Sequence, residues 1–479
     1  MNILMVTSEA VPFSKSGGLA DVVGSLPIAL NAKGQDCRII VPAYNTPLEE
    51  AGKLVCKVSV KMLSSVEEVE IRLKTVNKVK YYFVCHPYFC DRLGIYGDTS
   101  FEPYADNFER FSVLCKAALE LCPTIKWKPD VIHCHDWTAG LLPYFLKEKN
   151  SPFYKGTKTV FTIHNLAYQG TFQRMDFLMS DEKPHENLFK DGQVNMLKAG
   201  VAFSDFITTV SPTYAKEIQG EEQGCGLDEL LRNRKSRLKG IVNGIDVKDW
   251  DPLHDPNIPV HFSASRPEKK AEVKAAVQKE FGLPRSANVP LFAMISRLAS
   301  QKGFDAVIPC LETMLRTMKI QFVIIGTGDS RIERELREIA ERNENLSVNI
   351  LFSNKAAHLV EAGADFFLMP SRYEPCGLNQ LYSLRYGTIP IVRKTGGLAD
   401  TVVDIDEKPD EGTGLLFEEL NPDEIVKHIK RAVELYNRDS FKKVIERAMK
   451  QDFSWSASAA EYIKVYEKIT KDNKKGERK

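Results

Sequence analysis

Three tracts of this chain combine cations, glycines and one carboxylate at spacings suited to gripping a phosphate and a sugar together. SRLASQKG (296–303) supplies Arg297 and Lys302, five residues apart. SRYEPCGLNQ (371–380) supplies Glu374, Cys376 and Gly377, and KTGG (394–397) supplies Thr395, Gly396 and Gly397. Arginine grips two oxygens at once while lysine acts as a point charge, so this set can neutralise a diphosphate without a metal ion. Negative charge grows on a departing diphosphate, and cations placed there beforehand lower the barrier. The lone carboxylate, Glu374, would repel phosphate and suits a sugar hydroxyl. Cys376 has no histidine in its own tract and reads as a packing residue rather than a nucleophile.

The KTGG tract has a near-copy. KSGGLADVV (15–23) and KTGGLADTV (394–402) stand at opposite ends of the 479 residues. Each places a cation and two glycines between an expected strand and an expected helix, where the backbone can approach a ligand and the helix start favours an anion. The first copy contributes Lys15, Gly17, Gly18 and, one turn on, Asp21. HCHDWTAG (133–140) and FTIHNLAYQG (161–170) place His135, Asp136, His164 and Asn165 at two further strand exits. Plainer readings stay open for several of these. His133 reads as a packed strand residue, Asp136 could cap a helix starting near Thr138, and His164 and Asn165 could be turn residues. Arg297 and Lys302 could be solvated loop charges. GTGD (326–329) is a weak glycine turn without GxGxxG spacing.

Positioning these groups requires alternating strands and helices, and the apolar runs alternate in that way. Strands are expected at 3–7, 38–42, 131–134, 159–163, 206–210 and 240–242, then at 291–296, 321–325, 349–352, 365–369 and 389–392. Leu19, Val22, Val23, Leu26 and Leu30 form one helical face, ended by Gly34, with Pro27 awkwardly inside. The Asp-, Pro- and Asn-rich stretch NGIDVKDWDPLHDPNIPV reads as a linker, and a charged helix follows at 267–281. Two domains are therefore expected, 1–245 and 246–456. The last helix (457–479) carries Ala460, Ile463, Val465 and Tyr466 and is expected to dock back on the first domain. The fold class is α/β with two Rossmann-like domains.

Composition narrows the class. With 43% hydrophobic and 27% charged residues the chain is an ordinary globular enzyme, and its formal charge of +1 gives no footing for nucleic acid or an anionic membrane. No apolar run of about 20 residues predicts a membrane span. Ten cysteines without CxxC or CxxH spacing suggest reduced thiols in the cytoplasm rather than disulfides or a zinc site.

Taken together, KSGGLADVVGSLP, HDWTAG, TIHNLAYQG, NGIDVKDWDP, SRLASQKG, SRYEPCGLNQLYSLRYGTIP and KTGGLADTV resemble the bacterial glycogen synthase and plant starch synthase family, in the family's order and over nearly the whole chain. GCGLDELLRNRKSRLKGIVNGID (224–246) is similar to the family's entry into its interdomain hinge. The resemblance implies a GT-B fold, with the two domains facing each other across a deep cleft. It implies retaining, metal-free and cofactor-free transfer of glucose from ADP-glucose to the non-reducing 4-OH of an α-1,4-glucan. The expected partners are ADP-glucose and a glycogen or maltooligosaccharide primer. On matching positions it implies that Lys15, Gly17 and Gly18 touch the donor when the cleft closes. Arg297 and Lys302 would hold the diphosphate with Thr395, Gly396 and Gly397, while Glu374 binds glucose hydroxyls. Cys376 and Gly377 would line the donor pocket. His164, Asp136 and Asp21 would lie beside the transferring sugar or acceptor, with Tyr96, Asn165 and Asn243 in the same cleft. Two departures stand out. Phe352 occupies the place of a tyrosine-like adenine platform, and His358, Leu359 and Val360 replace the family's His-Arg-Ile.

Other classes fit less well. A glucan phosphorylase would need pyridoxal phosphate and its own motifs, an NAD oxidoreductase would want GxGxxG after the first strand, and a glucan-binding protein would not need the cationic set. The same transfer from UDP-glucose is the nearest alternative. A glycosidase-like pair of carboxylates is not evident, so front-face transfer is expected.

Overall fold

The computed structural model describes residues 1–62, 65–98, 102–173 and 185–476. They form two compact units, Met1–Gly244 with Trp455–Lys479, and Ile245–Ser454. Each is built on a parallel sheet whose central strands are buried.

In the first unit the order is β12 (Leu238–Gly240), β11 (Phe206–Thr209), β7 (Lys158–Ile163), β6 (Val131–His135), β1 (Asn2–Val6), β2 (Asp36–Pro42) and β5 (Val79–Cys85), all parallel, followed by β4 (Val66–Val76) and β3 (Lys53–Lys61) antiparallel at the edge. Ile3, Met5, Val131 and Val160 are fully buried, as expected of strands covered on both faces. Helix Gly18–Ala32 buries the expected face, and Gly34 follows its end at a φ of 80°. A small antiparallel sheet joins β8 (Thr171–Phe172), β10 (Gln193–Asn195) and β9 (Phe189–Lys190).

Helix Trp455–Gly476 packs on this unit, burying Tyr462, Val465, Tyr466 and Ile469. His133 fixes it from within the sheet, with Nδ1 2.8 Å from the Tyr466 hydroxyl. The expected apolar face of this helix omitted Tyr462 and Ile469. Residues 477–479 of the expected helix lie outside the described residues.

The second unit orders β15 (Leu346–Asn349), β14 (Gln321–Ile325), β13 (Leu291–Ile295), β16 (Phe366–Met369), β17 (Ile389–Arg393) and β18 (Leu415–Phe417) in one parallel sheet. The strand expected at 349–352 sits earlier, at β15, and the one expected at 240–242 sits earlier, at β12. The presumed linker is not free chain. Ile245, Trp250, Ile258 and Phe262 belong to the core of the second unit. Trp250 is stacked between His358 and Tyr382, each at 3.7 Å, and fully buried Asp255 holds His358 Nδ1 at 2.7 Å. Apolar anchors spaced through a polar stretch pin it down although it forms no regular element. Among the described residues, no helix is long and apolar enough to cross a membrane.

Candidate active site

In both units the singled-out residues follow adjacent parallel strands, at the sheet edge where open α/β folds bind ligands. In the second unit these are the exits of β13, β16 and β17. Lys302 ends the 3₁₀ turn Ser300–Lys302, and its Nζ lies 2.6 Å from Glu374 Oε2. Ser371 Oγ donates to the same oxygen at 2.9 Å. Glu374 is buried, so this charge is satisfied by one cation and one hydroxyl rather than by water. Gln301 stitches the two loops together: its carbonyl accepts from Arg372 N at 2.8 Å, and its side chain donates to the Tyr373 carbonyl at 3.3 Å. Arg297 remains exposed, with Gln301 Oε1 at 3.4 Å and no ion pair among the described residues.

The two glycine tracts are alike in letters and unlike in packing. Gly396 has a φ of 45°, and a Cβ there would come within 2.0 Å of the Glu374 carbonyl oxygen. A Cβ on Gly397 would come within 2.1 Å of the Cys376 carbonyl oxygen, and Gly397 N–H donates to Glu374 O at 3.1 Å. These glycines therefore seat the Glu374 loop on helix Gly396–Thr401, a role that spacing alone does not reveal. Thr395 and Cys376 are buried beside them. Gly377, at a φ of 72°, turns the chain into helix Asn379–Tyr386. Lys394 points away to Glu418, at 3.2 Å.

In the first copy, a Cβ on Gly17 would meet nothing within 4 Å, and the helix begins at Gly18. An internal carboxylate fills the loop instead. Glu9 is buried and accepts from the backbone N–H groups of Ser16 and Gly17 (the latter at 3.2 Å), from Ser16 Oγ at 2.9 Å and from the Tyr96 hydroxyl at 2.7 Å. Sequence reasoning missed Glu9 because it lies before the motif, in TSEA, where nothing marks it. Tyr96 is held by Asn107, which donates to its carbonyl at 2.8 Å, and by fully buried Arg110, which donates to Ile95 O at 3.0 Å. Lys15 pairs with Asp21 at 2.7 Å. Burial raises the Asp21 carboxyl, and Lys15 partly offsets it.

The exits of β6 and β7 are bound to each other. Asp136 does not cap the short turn Trp137–Ala139. Its Oδ1 accepts the His164 backbone N–H at 2.7 Å, and its φ of 55° is a conformation non-glycine residues rarely hold. Burial pushes the Asp136 carboxyl up to about 7, against the lowering effect of the His164 and Asn165 amides. His135 Nδ1 lies 3.0 Å from His164 Nε2, so one ring donates to the other. Burial takes His164 down to about 3 and His135 well below the usual range, and both are neutral near pH 7. Asn165 Oδ1 accepts from Ala167 N at 3.1 Å and shapes the following turn.

Two expected residues stand apart from these contacts. Phe352 is 89% exposed in the segment between β15 and helix Asn354–Gly363. Asn243 is buried, and its Oδ1 has no hydrogen-bond partner among the described residues. No group of three or more His, Cys, Asp or Glu could hold a metal among the described residues.

The family model for the starch synthase catalytic domain matches residues 2–233, and that for group 1 glycosyl transferases matches 278–451. A glycogen synthase of Treponema denticola is 44% identical over 483 residues, covering 97% of this chain and 98% of the relative. One from Anaeromyxobacter sp. is also 44% identical, covering 98% and 99%. The catalytic domain of starch synthase IV from Arabidopsis thaliana, bound to ADP and acarbose, superposes with a TM-score of 0.89 at 32% identity, covering 98% of this chain and 99% of that one. Sucrose-phosphate synthase from Thermosynechococcus elongatus, at 17% identity and a TM-score of 0.63, shares the fold. With both halves matched and relatives aligned along nearly its full length, the chain belongs to the glycogen synthase and starch synthase family of GT-B glycosyltransferases.

Proposed function

We propose that this enzyme transfers glucose from ADP-glucose to the non-reducing 4-OH of an α-1,4-glucan with retention, elongating glycogen or a maltooligosaccharide. The observation that carries the reading is the Lys302–Glu374 pair at 2.6 Å, set beside Arg297, which has no ion pair among the described residues, at the exits of adjacent strands. A cation and a carboxylate in contact suit the two ends of a nucleotide sugar, with diphosphate at the lysine and glucose hydroxyls at the glutamate. Arg297 and Lys302 take up the charge that grows on the leaving diphosphate, and Lys15 contributes to the same charge. Gly396 and Gly397 fix the loop on which Glu374 stands, and with Thr395 they assist Arg297 and Lys302 at the diphosphate. Asp136, His164 and Asp21 serve the transferring sugar and the acceptor, with Tyr96, Asn165 and Asn243 shaping that side.

Retention is assigned to front-face transfer. The leaving phosphate oxygen accepts the proton of the acceptor hydroxyl as the new C–O bond forms on the face that ADP leaves. Glu374 is held by Lys302 and Ser371, and Asp21 by Lys15, so neither carboxylate stands free as a nucleophile. The diphosphate charge is met by side chains, and we assign no metal or other cofactor to the reaction. We place the enzyme in the cytoplasm, in keeping with ten free cysteines.

Digestion of the product made from radiolabelled ADP-glucose and glycogen tests the reading. β-Amylase should release the label as maltose; label resistant to it would refute α-1,4 extension. A glucosyl adduct on Glu374 or Asp21, trapped with a slow donor and seen by mass spectrometry, would overturn front-face transfer. The reading with UDP-glucose is favoured only by Phe352, which lacks a hydroxyl for base discrimination.

A further inference from the structure

We infer that Tyr168 is an aromatic platform for the acceptor glucan, stacking on a sugar of the chain beyond the residue that reacts; this rests on the proposed glucan acceptor. Tyr168 is 53% exposed, more than any other Phe, Tyr or Trp among the described residues of the first unit. An exposed tyrosine alone means little. What sets this one apart is the rigidity of the loop that presents it.

The loop leaves β7 at His164 and returns at Gly170, and it is bonded to three other segments. Leu166 N–H donates to the buried Tyr214 hydroxyl at 3.0 Å. Gln169 Nε2 donates to the Cys225 carbonyl at 3.0 Å, and Gln169 Oε1 accepts from Asn195 Nδ2 at 2.6 Å. Met196 N and Leu197 N donate to the carbonyls of Gly170 and Gln169, each at 3.0 Å. Gly170 turns back at a φ of 60°, so close to Trp137 that a Cβ would lie 2.3 Å from its ring. Within the tip, Asn165 closes the turn by accepting from Ala167 N at its side chain and from Tyr168 N at its carbonyl.

A loop fixed this way holds its one large exposed side chain at small entropic cost on binding. The Tyr168 ring has no aromatic partner among the described residues, and its hydroxyl has no hydrogen bond there. A pyranose presents a face of C–H bonds to such a ring, while its hydroxyls remain in water. Tyr168 lies four positions after His164, and Asp136 grips the backbone at the base of the same loop. The ring therefore has a fixed place relative to the groups assigned to the transferring sugar. The proposed contact is therefore a sugar of the polymer next to the one that reacts.

The test compares wild type with Tyr168→Ala and Tyr168→Phe. Maltoheptaose binding without donor is measured by calorimetry, and KM is measured for maltoheptaose, maltose and ADP-glucose. Tyr168→Ala should weaken maltoheptaose binding and raise its KM roughly three- to ten-fold, the scale of one aromatic contact. The effect on maltose and on the ADP-glucose KM should be smaller, and Tyr168→Phe should restore maltoheptaose affinity because the ring is what matters. Unchanged maltoheptaose affinity in Tyr168→Ala, with its melting temperature as in wild type, would overturn the platform. So would an equal loss for ADP-glucose. If Tyr168→Ala binds maltoheptaose roughly three- to ten-fold more weakly than wild type, yet neither turns over ADP-glucose, the platform stands and the proposed reaction falls.

Discussion

The carboxylate of Asp136 accepts the backbone N–H of His164 at 2.7 Å, joining the exits of β6 and β7. Asp136 makes that bond at a positive φ of 55°, and burial holds its carboxyl up to about 7 in spite of the bond. A raised carboxyl means the folded chain binds more protons than the unfolded one between about pH 4 and pH 7. Stability from this group is therefore present at low pH and lost as pH rises through 7. Asp136→Asn keeps an acceptor for His164 N–H but cannot ionise. Its melting temperature relative to wild type should rise from pH 5 to pH 8, while transfer activity falls. A difference in melting temperature that does not vary with pH would show that the carboxyl titrates elsewhere.

Lys302→Ala should lower kcat roughly 100- to 1,000-fold, since it removes a cation from the point where leaving-group charge develops. It also strands the buried Glu374 with Ser371 as its partner. Glycogen affinity should change far less. Steady-state kinetics beside glycogen binding decides this, and equal losses in both would contradict the role.

Gly396→Ala and Gly17→Ala separate the two glycine tracts. At Gly396 the new methyl meets the Glu374 carbonyl at 2.0 Å in a positive-φ conformation, so the change should cost roughly 1–3 kcal/mol and displace Glu374. At Gly17 the methyl meets nothing within 4 Å, and thermal unfolding should be as in wild type. Equal melting temperatures for the two variants would refute the packing difference.

Tyr466→Phe removes the hydroxyl that meets His133 Nδ1 at 2.8 Å and leaves a fully buried ring nitrogen without that partner. A loss of about 1–3 kcal/mol is expected, read by denaturant unfolding. A loss below about 0.5 kcal/mol would mean that the His133 contact does not help to fix the last helix.

Much of this arrangement is legible in the sequence, for reasons tied to particular residues. Buried parallel strands such as β1, β6 and β13 are continuous apolar runs, and the chemistry-bearing tracts begin where those runs end. Edge strand β3 and its neighbour β4 escaped because they are half-solvated: KLVCKVSVK alternates weakly, with Val58 and Val60 its only strongly buried residues. The stretch after Gly244 misleads because Trp250, Ile258 and Phe262 are outnumbered by Asp, Pro and Asn. Within the site, types and spacing mark Arg297, Lys302 and Glu374. They cannot show that Glu9 fills the first glycine loop, because its carboxylate is also held by Tyr96, 87 residues away, and nothing in TSEA marks it. Nor can they show that Gly396 and Gly397 seat the Glu374 loop, a contact made between two strand exits.

On the proposed reading, this cationic, carboxylate-bearing site consumes ADP-glucose to extend a glucan. The most direct test measures nucleoside diphosphate release from ADP-glucose and from UDP-glucose, with glycogen as primer and EDTA present. ADP release matched by lengthened α-1,4 chains, and exceeding UDP release by at least about ten-fold, is the predicted result. Preference for UDP-glucose would contradict the donor assignment and move it to the Phe352 side of the site, and dependence on a divalent metal would contradict the charge assignments made to Arg297 and Lys302. No release from either donor, with glycogen still bound, would contradict the reaction itself.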